Sequence, residues 1–352
     1  MTILREEVAK GIWRFGPFER PCLPRKNGAG DPSGPCVPSI VVGEKGTAIV
    51  DPGETSYSLA FLLGMEQLGI DFKSIQYICL THIHLFHCQA ASTLIDKLPN
   101  AKVVVHPRGA PHLIDPTRLN ENTIEIEGPT GCELMKPIPE GRIIAAEDGQ
   151  LLDLGGRELE MVYFPGHAPH GMAIFDRLTR AIFPGDYDTA GGIVFNPGQP
   201  GSIPPLLNSI RRVQTLNPSM VIRFARPGVM SPDIFQGLEA HALAVERVCL
   251  EGLKQKLSMA EINNRVAQVN RLVPFGDALE SPELYADQLT RRTTSPAFLA
   301  SLIKKYPDLG LELPSDVDKD SEYWGDHYNR PMPGQEKKGG EKSSARKPAK
   351  KE

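Results

Sequence analysis

The stretch that decides the fold of this chain is Leu80-Thr81-His82-Ile83-His84-Leu85-Phe86-His87. It completes an apolar run that starts at Ile75 and predicts a buried β-strand. Histidine is the commonest side-chain metal ligand, so three histidines at the end of a strand favour a metal site. If the alternation of the strand continues into the loop, His82 and His84 point to the same side.

Three further motifs follow strand-like runs elsewhere in the chain. They are Ile49-Val50-Asp51-Pro52-Gly53, Phe164-Pro165-Gly166-His167-Ala168-Pro169-His170 and Phe183-Pro184-Gly185-Asp186. With the histidine stretch, they resemble the DxG, HxHxDH, PGH and GD turns of the metallo-β-lactamase superfamily in the right order. The resemblance implies an α/β (α+β) fold, a four-layer αββα sandwich with the metal site along one edge.

The resemblance also implies a set of metal ligands. The first metal would be held by His82, His84 and His167, and Asp186 would be its fourth ligand or bridge two metals. Asp186 could instead cap the turn in which it lies. His87 corresponds to a ligand of the second metal, or it is a hydrogen-bonded histidine beside the site. Asp51, the aspartate of the DxG turn, is expected to hold a loop and is not counted as a ligand.

Two departures from the family pattern affect the second metal. Phe86 stands where the HxHxDH motif has an aspartate, and Arg223 stands near the expected position of the last histidine. We therefore expect one ion, zinc or alternatively iron or manganese. Arginine stays protonated, so Arg223 could replace part of the missing charge, or it could only form a salt bridge.

The function that follows from the resemblance is that of a metal-dependent hydrolase. A metal-bound hydroxide would attack an ester, lactone, thioester or phosphoester. Because Phe86 removes a carboxylate, the candidate catalytic residues are Asp186 and His170 as bases and Arg223 as a cation. His170 could instead contact substrate or face solvent. Two alternatives remain open, namely a mononuclear-iron sulfur or oxygen oxidoreductase of the same fold and a catalytically inactive metal-binding module.

Composition limits the partners. The chain has 352 residues and a net charge of −4, which gives no basic field for nucleic acid. No apolar run approaches the roughly 20 residues that span a bilayer. The first ten residues lack the apolar core of a secretory signal, so we expect a cytoplasmic protein that acts on a small molecule. The sequence does not indicate an oligomeric state.

The chain divides into three predicted regions. Residues 1–228 form the metallo-β-lactamase-like domain, 229–312 a helical extension or cap, and 313–352 a polar, basic tail expected to be disordered. Within them, periodicity predicts hairpins and helices. The predicted strands are 39–42, 47–50, 75–80, 101–105, 159–164, 172–175, 180–183 and 220–224. The predicted helices are 57–68, 89–98, 204–216, 232–253, 259–273, 283–289 and 296–305.

Overall fold

The computed structural model describes residues 5–16, 37–127, 134–186, 188–189, 192–193, 203–224, 228–271 and 296–317. Its strands are β1 (Arg5–Ala9), β2 (Ile12–Phe15), β3 (Ser39–Val42), β4 (Thr47–Val50), β5 (Ile75–Cys79), β6 (Lys102–Val105), β7 (Ile143–Ala145), β8 (Gln150–Asp153), β9 (Glu158–Tyr163), β10 (Met172–Asp176), β11 (Ala181–Phe183), β12 (Asp188–Thr189), β13 (Gly192–Ile193), β14 (Met220–Ile222) and β15 (Val229–Met230). Its α-helices are α1 (Ser58–Gln67), α2 (Leu85–Cys88), α3 (Ala91–Leu94), α4 (Ala110–Ile114), α5 (Thr117–Glu127), α6 (Ile203–Thr215), α7 (Ile234–Lys254), α8 (Met259–Arg271) and α9 (Pro296–Lys305).

The strands form two main sheets. The first has seven strands in chain order from β1 to β7, and the second has six in the order β15-β14-β11-β10-β9-β8. In the first sheet, β4, β5, β6 and β7 are parallel, whereas the strands before β4 pair antiparallel. The carboxyl ends of β4, β5 and β6 therefore meet at one edge of the sandwich, where their loops can share a site.

Alternation of side chains along the strands builds the layers. In β4, Ala48 and Val50 face the core between the sheets, whereas Ile49 faces the helices on the outside. In the second sheet, Met172 and Ile174 of β10 enter the same central core, and Ala173 between them faces outward. Both sheets are thus buried on two faces, which explains why their strands read as apolar runs.

Helices cover both outer faces. Phe61 of α1 and Leu94 of α3 pack on the first sheet, and Leu206 of α6 packs on the second. The helical region after residue 228 joins the same outer cluster of the second sheet through Phe235 and Leu302. The layers are therefore helix, sheet, sheet and helix, which confirms the expected αββα fold. The boundaries of the three predicted regions stay a prediction.

Most predicted elements coincide with observed ones, with two kinds of exception. The sequence-based prediction lacks seven observed strands and three observed α-helices, namely β1, β2, β7, β8, β12, β13, β15, α2, α4 and α5. The predicted helix over 89–98 is observed only in part, as the short helix α3, which the short helix α2 precedes. Between them the amide of Ala90 donates to the carbonyl of Gly53 at 2.7 Å, which interrupts a continuous helix. The predicted helix over 283–289 and residues 318–352 of the tail lie outside the described residues.

No helix in the described ranges combines the length and the apolar character needed to cross a membrane.

A buried ion pair ties the two sheets together at the edge opposite the strand ends that carry the histidines. Arg157, before β9, donates Nε and Nη2 to the two carboxylate oxygens of Asp176 at 2.9 and 2.8 Å. Its Nη1 donates to the carbonyls of Lys10 and Val42 in the first sheet, both at 2.9 Å. Arg157 is 3% exposed and Asp176 is fully buried. Removal of the arginine would therefore leave a buried carboxylate without its charge partner.

We expect Arg157→Leu to lower the free energy of unfolding by about 3–5 kcal/mol, because it leaves the buried carboxylate of Asp176 without its oppositely charged partner. The matched control is Arg177→Leu, which removes an ion pair with Glu158 between half-exposed side chains 3.0 Å apart. That loss should stay below about 1 kcal/mol. Denaturant unfolding followed by circular dichroism measures both, and equal losses would contradict the role given to Arg157.

Candidate metal centre

The predicted metal ligands follow the ends of strands and lie close together. His82 and His84 follow β5, which ends at Cys79, and His167 lies in the loop between β9 and β10. Asp186 follows β11 after a turn at Gly185, whose backbone has a φ of 69°. A β-carbon at Gly185 would lie 2.7 Å from the hydroxyl of Thr81, so both the conformation and the space require glycine.

Four of these side chains form one group, which we call the ligand cluster. Its members are His82, His84, His167 and Asp186, whose potential ligand atoms all lie within 4.8 Å of one another. His84 Nδ1 is 2.9 Å from His167 Nε2. Asp186 Oδ2 lies 3.9 Å from His82 Nε2 and 4.0 Å from His167 Nε2. Zinc ligands at about 2.0–2.2 Å in a tetrahedron lie about 3.4 Å apart, so the spacing suits one ion.

The hydrogen bond of His82 leaves one of its ring nitrogens available to bind a metal. The Thr81 hydroxyl donates to Asp51 Oδ2 at 2.6 Å, so its oxygen is left to accept from His82 Nδ1 at 3.1 Å. That bond places the remaining lone pair on Nε2, a buried atom without a hydrogen-bond partner among the described residues. Burial, reinforced by the neighbouring histidines, holds the pKa of His82 well below its usual range. A buried neutral imidazole with an unused lone pair fits a metal ion.

His87 lies next to the ligand cluster, between two carboxylates. Its Nδ1 is 2.8 Å from Asp51 Oδ2, and its Nε2 is 3.1 Å from Asp186 Oδ1. Burial opposes a charge on this ring, but Asp186 and Asp51 outweigh it and raise the pKa of His87 to about 9. Burial opposes the charged form of Asp186 as well, yet His87 and the other histidines hold the pKa of that carboxyl below its usual range.

Asp51 connects the two halves of this network. Its Oδ1 accepts from the Thr81 amide at 2.8 Å, while Oδ2 contacts both the Thr81 hydroxyl and His87. The residue has a φ of 45°, in the left-handed region that non-glycine residues rarely adopt. The expectation that Asp51 only holds a loop missed this function: it orients His82 through Thr81 and contacts His87 directly.

Two phenyl rings contact His87, and we call them the phenyl pair (Phe86 and Phe224). The ring centre of Phe86 is 4.7 Å from that of His87, and the ring centre of Phe224 is 4.3 Å away. Both side chains are half-buried. Sequence reasoning identifies Phe86 but not Phe224, and it assigns the neighbouring Arg223 to the position of the missing histidine.

The remaining candidate residues lie around the ligand cluster. Arg223 is 3% exposed and lines a small cavity together with Asp51 and Gly185. His170 is also buried, and its ring centre is 6.3 Å from that of His84. Burial and the nearby histidines lower the pKa of His170 to about 3, so its imidazole is neutral. The roles of Arg223 as a cation and of His170 as a base stay predictions.

The segment after β6 supplies one wall near His170. The ring of His106 stacks on Tyr163 with centres 4.6 Å apart, and the Tyr163 hydroxyl donates to the carbonyl of Pro169 at 3.1 Å. His112, in α4, is near enough to His170 to contribute to its lowered pKa. This wall therefore carries imidazole rings and a phenol.

Comparison with known proteins agrees with this geometry. A family model described as Metallo-beta-lactamase superfamily matches residues 32–225. The chain is 30% identical over 241 residues to the metallo-beta-lactamase fold-containing protein ST1585 of Sulfurisphaera tokodaii, covering 64% of this chain and 80% of that protein. It is 28% identical over 180 residues to the hydroxyacylglutathione hydrolase GloC of Haemophilus influenzae. This match covers 51% of this chain and 79% of that protein. The crystal structure of the metallo-beta-lactamase family protein TTHA1429 of Thermus thermophilus has a similar fold, with a TM-score of 0.58 and 18% identity over 86% of this chain and 95% of that one.

We expect Asp51→Ala to weaken metal binding by about 10–100-fold, because the groups that orient His82 lose their anchor. Competition with a chromophoric chelator measures the affinity, and circular dichroism checks that the variant is folded. The matched control is Asp71→Ala, which removes an exposed carboxylate that accepts from the amide of Lys73. An affinity of Asp51→Ala within about threefold of the wild type would disprove this role.

Proposed function

This chain belongs to the metallo-β-lactamase superfamily, and we propose that it is a metal-dependent hydrolase of a small-molecule ester, lactone, thioester or phosphoester. One ion, zinc or alternatively iron or manganese, is held by the ligand cluster. The observation that carries the proposal is the convergence of three histidines and one aspartate within 4.8 Å. The similarity to a relative named as a hydroxyacylglutathione hydrolase supports hydrolysis as the reaction type.

A divalent ion bound there supplies a Lewis acid that polarises the scissile group and makes a water acidic enough to attack near neutral pH. The residues of the chain then position the substrate and handle the proton. Asp186 is the carboxylate within the cluster, and it would orient the attacking water by accepting a hydrogen bond from it. Its Oδ1 is 3.1 Å from His87 Nε2, and His87 Nδ1 is 2.8 Å from Asp51, so these groups fix the orientation of the Asp186 carboxylate.

The groups that contact His87 support a site for a single metal ion. A second metal of this family would need the motif aspartate and a last histidine, and the phenyl pair contacts His87 from both of the corresponding chain segments. Phenyl rings donate no lone pair to a metal. Both nitrogens of His87 already face carboxylate oxygens. We therefore assign His87 to the support of Asp186 rather than to a second ion.

We expect the purified protein to contain close to one metal ion per chain by elemental analysis. The double variant Phe86→Asp with Phe224→His restores both missing donor types beside His87, and its metal content should rise towards two. Phe86→Leu with Phe224→Leu is the matched control, because it changes the same positions without adding a donor. Two ions in the wild-type protein would refute the single-ion site.

Activity should depend on the ion and on the ligand cluster. We expect chelator treatment to abolish hydrolysis of 4-nitrophenyl acetate and added zinc to restore it. His82→Ala should lower kcat/KM by at least about a hundredfold and lose the metal. The control is His241→Gln, which changes a buried histidine that contacts Asn270 between α7 and α8. Hydrolysis that survives full metal removal would contradict the proposal, as would bound iron with oxygen consumption on a persulfide and no ester hydrolysis.

A further inference from the structure

The phenyl pair stands beside the place where a substrate must bind. The ring centre of Phe86 is 6.2 Å from that of His82 and 5.8 Å from that of His84, so it borders two members of the ligand cluster directly. Phe224 also contacts His87, with ring centres 4.3 Å apart and planes tilted by 32°. Both phenylalanines keep part of their surface accessible, although the histidine that they contact is fully buried.

Two arginines among the described residues near Phe224 are buried. Arg223, which precedes it, is 3% exposed, and its amide donates to the carbonyl of Gly228 at 2.8 Å. The guanidinium of Arg14 is also buried, and its Nη2 donates to the carbonyl of Arg223 at 3.2 Å. A carboxylate or phosphate placed against the phenyl rings would lose hydration without gaining a charge partner from these arginines.

An apolar substituent would bind against the phenyl pair more favourably than an anionic one. Burial of apolar surface is favourable in proportion to its area, and an aromatic group against a phenyl ring gains further from edge-to-face or offset stacking. A substituent on the scissile carbonyl would lie against the phenyl pair while that carbonyl lies at the ligand cluster. Hydrolysis then adds water to the carbonyl carbon, breaks its bond to the leaving oxygen, and yields an acid and an alcohol.

We propose that the phenyl pair is the specificity site of this enzyme and selects esters whose acyl group is uncharged and apolar, with aryl-acetyl groups as the best fit. This inference rests on the proposed hydrolase function and names its substrate class. It assigns Phe86 and Phe224 to substrate contact, in the place where a two-metal relative would hold its second ion.

The test compares kcat/KM of the zinc-loaded protein for three esters that share a leaving group, 4-nitrophenyl phenylacetate, acetate and succinate. We expect phenylacetate to exceed acetate by about tenfold or more, and the anionic succinate to be the poorest of the three. Phe86→Ala should reduce the ratio of phenylacetate to acetate towards one, Phe224→Ala should reduce it in part, and Phe86→Leu should restore much of it. Phe72→Ala, a half-buried phenylalanine before β5, is the control and should leave the ratio unchanged.

A second measurement does not depend on turnover. Calorimetric titration of the zinc-loaded protein with phenylacetate should give a dissociation constant about tenfold lower than that for acetate, and Phe86→Ala should remove the difference. Ester hydrolysis with equal rates for all three acyl groups in the wild type overturns the specificity site and leaves the hydrolase intact. Selective phenylacetate binding without hydrolysis of any ester supports the apolar site and overturns the hydrolase. The absence of both selective binding and hydrolysis overturns both.

Discussion

The buried carboxylate of Asp51 is the constraint on which the arrangement of the site depends. It follows β4 directly, and its oxygens contact Thr81 after β5 and His87 in α2. The carboxylate thus joins the ends of two adjacent parallel strands and sets the orientation of both histidine positions that follow. Its left-handed backbone costs on the order of 1–3 kcal/mol, which persists only because the surrounding contacts over-determine it.

The strands and ligands that the sequence predicts are those whose signal is local. The run over 47–50 predicts β4 with its observed bounds, because a strand buried on both faces is apolar throughout. The edge strand β1, by contrast, has the sequence Arg-Glu-Glu-Val-Ala and is mostly exposed, so it carries no such pattern. The ligand cluster is likewise predictable, since each member follows a recognisable strand end.

The contacts around His87 could not be predicted in the same way. Phe224 approaches that ring because β14 pairs in parallel with β11 in the second sheet, while His87 follows β5 in the first. The contact therefore depends on the register of one sheet and on the packing of the two sheets, neither of which is encoded near residue 224. The sequence alone therefore cannot distinguish Phe224 from the adjacent Arg223 as the residue that contacts His87.

The contacts around His87 connect the proposed single metal ion with the proposed preference for an apolar substrate. Where a second dication would stand, this chain has His87 between Asp51 and Asp186. Each nitrogen of its ring faces a carboxylate oxygen of the protein. His87 is therefore already occupied by protein groups and offers no nitrogen to an anionic group of a substrate. Against the phenyl pair, a neutral acyl group would therefore lose less on binding than an anionic one.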